Sequence, residues 1–170
     1  NQINNMSPES LLIDYTRFNV WANTETINWL KTKPLELMEV EVPSSFPNIR
    51  LTLLHTWGAE KIWLERLQGK VPATILYNTF TGSTEELFAG MLHTSLEFKD
   101  YVAALSPTEL DEICAFRLIN GTEDSRSRAH MIHHCMNHST YHRGQVVTIA
   151  RNLGIVDPPS TDFMRYLRVR

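Results

Sequence analysis

The sequence predicts an all-α protein: a four-helix bundle with a long crossover between the second and third helices and a short hairpin before the fourth. Three observations lead there. Four segments carry apolar residues at helical spacing, capping or breaking residues bound each of them, and strand-like alternation is confined to residues 112–121. At 170 residues the chain is long enough for one well-packed domain, taken as residues 1–170.

The first helix opens in "SPESLLIDYTRFNVWANTETINWL", with Ser7 as N-cap and Pro8 at the first helical position. Its apolar stripe passes through Leu11, Leu12, Tyr15, Phe18, Ala22, Trp29 and Leu30 and ends before Pro34. The second helix starts near Pro47 and stops at Gly69, the residue type that most readily takes the left-handed turn after a helix. A connection of about 13 residues follows; it contains Pro72 and Gly82, shows no helical period and is long enough to cross a bundle. Ser83 and Glu86 form a capping-box pattern that starts the third helix, which continues to Leu105 and is stopped by Ser106 and Pro107. "EICAFRLING" alternates weakly up to an Asn120-Gly121 turn signal, a short strand or hairpin. The fourth helix is expected from Asp124 or Ser125 to Leu153, with Gly154 as its stop. "DPPSTDFMRYLRVR" reads as an extended arm with one last helical turn.

Composition narrows the function. Hydrophobic residues make up 42% and charged ones 21%, and no apolar run approaches the ~20 residues of a membrane helix. The opening "NQINNMSPES" lacks the basic start and apolar core of a secretory signal, so a cytoplasmic protein is expected. Cys114 and Cys135 lie far apart in sequence and are expected as reduced thiols, Cys135 buried and inert. The net charge of −3 is unevenly spread: residues 117–170 carry 8 arginines against 4 acids. These arginines are scattered and few aromatics lie between them, so nucleic acid is not an expected partner, and neither is a membrane. No Gly-x-Ser-x-Gly elbow and no Gly-x-x-x-x-Gly-Lys loop is present.

The informative stretch is "HMIHHCMNHSTYHRGQ", residues 130–145, which holds five of the seven histidines. Residues four apart on a helix differ by about 40° and stand one above the other, so His138 and His142 present two imidazoles to one point. His134 and His130 have rotated about 80° and 120° from His142 and are expected outside any shared coordination shell, while His133 faces elsewhere. Two imidazoles one turn apart suit a divalent transition metal, and a bundle would draw the third ligand from a facing helix. His55, in "LLHTWGAEKIWLERL", is the best candidate because Gly58 and Ala59 leave room beside it; His93, in "MLHTSLEF", competes but lies in more polar surroundings. Acceptors for the outer ring N–H groups would be Asn137, Gln145 or Glu60. Arg143 is rotated about 100° from its ligand neighbour and is read as an external or interface residue, Gly144 as permitting close helix packing, and Tyr141 as lining the site mouth or a helix contact.

"NHSTYHRGQV" resembles the signature of the DinB-like (damage-inducible) metalloproteins, two histidines four apart directly before Arg-Gly-Gln. "FNVWANTETINWL", the histidine in the middle of the second helix and "PPSTDFMRYL" extend the resemblance over nearly the whole chain. It implies a homodimeric four-helix bundle and one divalent metal held by His55, His138 and His142. Zinc or nickel would be the ions most readily observed, with iron, cobalt or copper also suited to the donor set. Families of similar fold include S-transferases and isomerases that use low-molecular-weight thiols. The resemblance therefore implies a metal-dependent hydrolase or thiol S-transferase acting on a small molecule; the alternative is a non-catalytic structural or sensory metal bundle. No catalytic acid or base is identifiable. The tryptophans Trp21, Trp29, Trp57 and Trp63 exceed what one bundle interior is expected to hold, in line with the dimer that the resemblance implies.

Overall fold

Residues 7–170 are described in a computed structural model. Helix α1 (Pro8–Lys31) begins at Ser7, whose Oγ accepts from the Ser10 N–H at 3.1 Å. A 3₁₀ turn, Leu35–Glu39, follows Pro34. Helix α2 (Ile49–Leu67) is capped by Asn48, whose Oδ1 accepts from the Leu51 N–H at 2.8 Å, and is closed by Gly69 at φ +72°. The connection expected to lack helix contains a single turn, α3 (Leu76–Thr79). Both bonds of the Ser83–Glu86 capping box are made at the start of α4 (Thr84–Ala103). A second capping box, Ser106 with Glu109, launches the short α5 (Pro107–Asp111).

Strands β1 (Ile113–Arg117) and β2 (Glu123–Ser127) pair antiparallel, Ile113 opposite Ser127 and Arg117 opposite Glu123, around a turn with Gly121 at φ +84°. This corrects the expected start of the last long helix at Asp124 or Ser125. Those residues are held by the ladder to β1, and α6 (Arg128–Asn152) begins only after its N-cap, Ser127. The terminal arm forms α7 (Phe163–Val169) on an Asp162 cap, its Tyr166 buried against Phe18 and Trp21 of α1.

Two apolar clusters define how the four long helices run. One joins Leu30, Leu53, Leu87 and Ile149; the other joins Leu12, Leu67, Phe98 and Met131. Helices α1 and α6 therefore run from the second cluster to the first, and α2 and α4 run from the first to the second, an up-down-down-up bundle. Parallel α2 and α4 are neighbours: Arg50 Nη2 donates to the Gly82 carbonyl at 2.6 Å near their N-termini, and Tyr101 Oη donates to the Leu67 carbonyl at 2.7 Å near their C-termini. The segment between them must return along the length of the bundle, which is the long crossover. Helix α6 packs against both α2 and α1.

The tryptophans all find partners within the chain. Trp21 packs on Tyr166, the Trp29 Nε1–H donates to the Val156 carbonyl, the Trp57 Nε1–H donates to Thr94 Oγ1, and Trp63 meets Phe116 edge-on. Their number is no argument for a second copy. No helix among the described residues is long and apolar enough to cross a membrane.

Candidate metal centre

Helix α2 contributes His55 and the antiparallel α6 contributes His138 and His142, one turn apart. Their Nε2 atoms converge: His138 Nε2 is 3.1 Å from His55 Nε2 and 3.0 Å from His142 Nε2. Nitrogens bound about 2.1 Å from one ion at angles between 90° and 109° would be roughly 3.0–3.4 Å apart, so the spacing fits a single transition metal. These three form the one group of such donors among the described residues that could hold an ion.

The imidazoles are held in the form that such a role needs. Burial, then the neighbouring His142, lowers His55 to about 4; burial, then His142, His55 and His134, lowers His138 to about 3. His142 is lowered by burial, partly opposed by its bond to Gln145. All three are thus neutral at pH 7. Gln145 sets the tautomer of His142. Its Nε2 donates to Ser45 Oγ at 2.9 Å and to Tyr141 Oη at 3.1 Å, which turns its Oε1 towards His142 Nδ1 at 2.7 Å. Nδ1 must then carry the proton and Nε2 the lone pair that faces the other two rings. His138 Nδ1 is buried without a hydrogen-bond partner among the described residues.

The remaining expected residues separate. Glu60 bonds none of the three imidazoles. Five residues beyond His55, it is rotated about 140° into the bundle core, where its carboxylate accepts from Asn19, Asn23, Ser95 and Ser139. Asn137 is exposed on α6. His93 is also exposed and pairs with Glu97 on its own helix. His134 packs edge-on against Trp63, its ring centroid 6.0 Å from that of His138, and His130 Nδ1 lies 3.1 Å from Ser127 Oγ. Cys135 is fully buried and its thiol is pushed up by burial, then by Glu60. Tyr141 is exposed and serves Gln145.

Two readings of α6 are corrected. Arg143 is interior, not external: it is 3% exposed and its Nη1 donates to Asn19 Oδ1 at 2.5 Å and Asn23 Oδ1 at 2.9 Å. Burial lowers its pKa to about 10, partly offset by Glu60. Gly144 faces outward, and a Cβ there would meet nothing within 4 Å, so no close helix packing depends on it.

Phe46 was not anticipated. It sits in the loop before α2, stacks on His55 with centroids 4.3 Å apart and meets His142 edge-on at 5.7 Å, closing one side of the triad. The signal for it was a lone aromatic in the polar run "PSSFPN" just before a helix cap.

Comparison with known proteins gives three findings. The family model described as "DinB family" matches residues 6–170. Protein DinB of Bacillus subtilis (strain 168) is 29% identical over 158 residues, covering 88% of this chain and 90% of that protein. Among solved structures, YfiT from Bacillus subtilis, described as a probable metal-dependent hydrolase with an unusual four-helix bundle topology, shares the fold with a TM-score of 0.68 at 9% identity. That match covers 92% of this chain and 94% of YfiT.

Proposed function

The chain belongs to the DinB family, and on that premise we propose that His55, His138 and His142 hold one divalent transition metal ion at the centre of a small-molecule hydrolase or thiol S-transferase. The observation that carries this reading is the convergence of three Nε2 atoms at 3.0 and 3.1 Å. When bound, such an ion supplies Lewis acidity towards water, a thiol or a carbonyl group. Three neutral donors leave its full charge available to an anionic ligand, and three protein ligands are the number found at catalytic sites. The chain's own part is to keep the imidazoles deprotonated, to orient His142 through Gln145 and to shield one side of the triad with Phe46. Zinc or nickel are the ions proposed, then iron, cobalt or copper. The description of YfiT as a probable metal-dependent hydrolase supports the hydrolytic branch; the resemblance to thiol-using families supports transfer with a low-molecular-weight thiol as co-substrate.

The test is elemental analysis of protein purified without nickel resin, followed by thiol-transfer and ester or amide hydrolysis assays of the wild type and His138→Ala. One equivalent of metal in the wild type, its loss in the variant, and activity only in the former are expected. A metal-free wild type overturns the site. A loaded wild type with no turnover above the variant leaves a structural or sensory metal bundle, a reading favoured by the lack of any carboxylate in the cavity beside His55 and His138. A homodimer in the cytoplasm is proposed as well. The exposed Leu11 beside the apolar groove of Tyr15, Phe18 and Phe163 offers a contact face; light scattering giving a monomer at micromolar concentration would overturn it.

A further inference from the structure

A cavity of about 180 Å³ lies against His55 and His138 and follows α2 to Arg66. The helix positions that line it, His55, Gly58, Ile62 and Arg66, recur every three or four residues, so they form one stripe on the helix surface. Its volume equals roughly six waters at the density of the liquid. Arg66 is the one guanidinium or ammonium group in the lining. The rest is apolar or small apart from Tyr77.

Arg66 is buried, 6% exposed, and forms no ion pair among the described residues. Its Nη2 donates to the Arg117 carbonyl at 2.7 Å, while its Nε finds no acceptor among the described residues. The guanidinium lies 4.8 Å from the Trp63 ring and 5.3 Å from the Phe116 ring, which fix its position without neutralising it. Burial lowers its pKa, the mark of a charge paying for desolvation. Arg66 also lines a separate cavity bordered by Glu123 and Asp124, but these two carboxylates pair with Arg117 at 2.7 Å and Arg126 at 2.6 Å. Buried charges are ordinarily paired, so a guanidinium held in an apolar wall at the end of a cavity is set up for an anion from outside.

We propose that Arg66 holds the carboxylate of a small anionic substrate whose other end reaches the three histidines. This rests on the metal reading of the triad and names the class of compound that the site selects. Eleven residues of helix separate His55 from Arg66, about 16 Å along the axis, and the long arginine side chain leans back towards the helix N-terminus, so the ligand is on the order of 10 Å long. A carboxylate fits better than a phosphate because Arg66 is the one guanidinium or ammonium group in the cavity lining.

The probes are 6-mercaptohexanoate and its neutral counterpart 6-mercaptohexan-1-ol, titrated calorimetrically into cobalt-loaded wild type, Arg66→Gln and Arg66→Lys, with the thiolate-to-cobalt absorption band as a second readout. The wild type is expected to bind the carboxylate at least tenfold more tightly than the alcohol. Arg66→Gln should lose that preference while binding the alcohol within twofold of wild type; Arg66→Lys should keep part of it. Equal affinity of the wild type for the two thiols overturns the proposal, as does an undiminished preference in Arg66→Gln. Hexanoate, which has no thiol, is titrated into the metal-free wild type in parallel with the metal-free Arg66→Gln. Binding that depends on Arg66 supports its role even where cobalt fails to load, and failure to load counts against the triad alone. No binding of hexanoate by the wild type, together with no carboxylate preference, leaves Arg66 as a tie between α2 and β1.

Discussion

Replacing Glu60 by glutamine tests whether the polar layer beneath the histidines is held by charge or only by hydrogen bonds. Glu60 Oε1 accepts from Asn19 at 2.7 Å, Asn23 at 3.3 Å and Ser139 at 2.8 Å, and Oε2 accepts from Ser95 at 2.7 Å. The same two asparagines turn their carboxamide oxygens to Arg143, so one buried anion and one buried cation face each other through a pair of amides drawn from α1. Glutamine keeps the shape and the Oε1 acceptor. Its new N–H₂ meets Ser95 Oγ, which already accepts from Asn23 at 2.9 Å and can accept again. Nearly every hydrogen bond survives; the negative charge does not. Two hydrogen bonds and an amide place the charges about 7 Å apart, worth roughly 2 kcal/mol at an effective dielectric of 20. Glu60→Gln should therefore lose about 2 kcal/mol in urea denaturation and about 4–8 °C in melting temperature. Arg143→Met leaves a lone buried anion and should cost at least as much, while the double variant should cost about 2 kcal/mol less than the sum of the two. A Glu60→Gln loss below 0.5 kcal/mol, or strict additivity, would refute the electrostatic account.

Three further outcomes are expected. In metal-free protein burial and the neighbouring imidazoles hold His55 at about 4 and His138 at about 3 when folded, against an ordinary value near 6.5 when unfolded. The unfolded chain then binds more protons between those values, so stability is highest above about pH 6.5 and falls as the pH drops towards 4; urea midpoints at pH 7 and 4.5 measure the fall, which His138→Leu should reduce. Gln145→Leu removes the acceptor that orients His142 and should weaken metal binding about 10–100-fold in competition with a chromophoric chelator, whereas the exposed Asn137→Leu should leave it unchanged. Gly90→Ala gains up to about 1 kcal/mol of helix propensity, yet its Cβ would fall inside contact distance of the Trp57 ring, which is tied to Thr94 at 2.9 Å, so thermal melting should show net destabilisation.

What the sequence revealed and what it hid both follow from the range over which each signal acts. The caps at Ser7 and Ser83 and the glycine stops at Gly69 and Gly154 depend on a residue and its immediate neighbours, and the helix ends follow them closely. Strand β2 does not: "EDSRS" has little strand propensity, and it is extended because β1 lies beside it. Arg143 shows the same limit within the site. The helical angle correctly separates it by about 100° from His142, but an angle measured from the ligands does not say where the interior lies. In this bundle α6 touches two neighbours, so its buried arc is wide enough for two stripes. His138 and His142 face α2, and the residues directly after them, Ser139 and Arg143, again four apart, are buried in the polar layer shared with α1. A polar pair displaced by one from a ligand pair therefore belongs, in a helix flanked on two sides, to the core. Through Glu60 and Asn19 it couples the rotation of α6 to the position of α2, the helix that carries the third histidine.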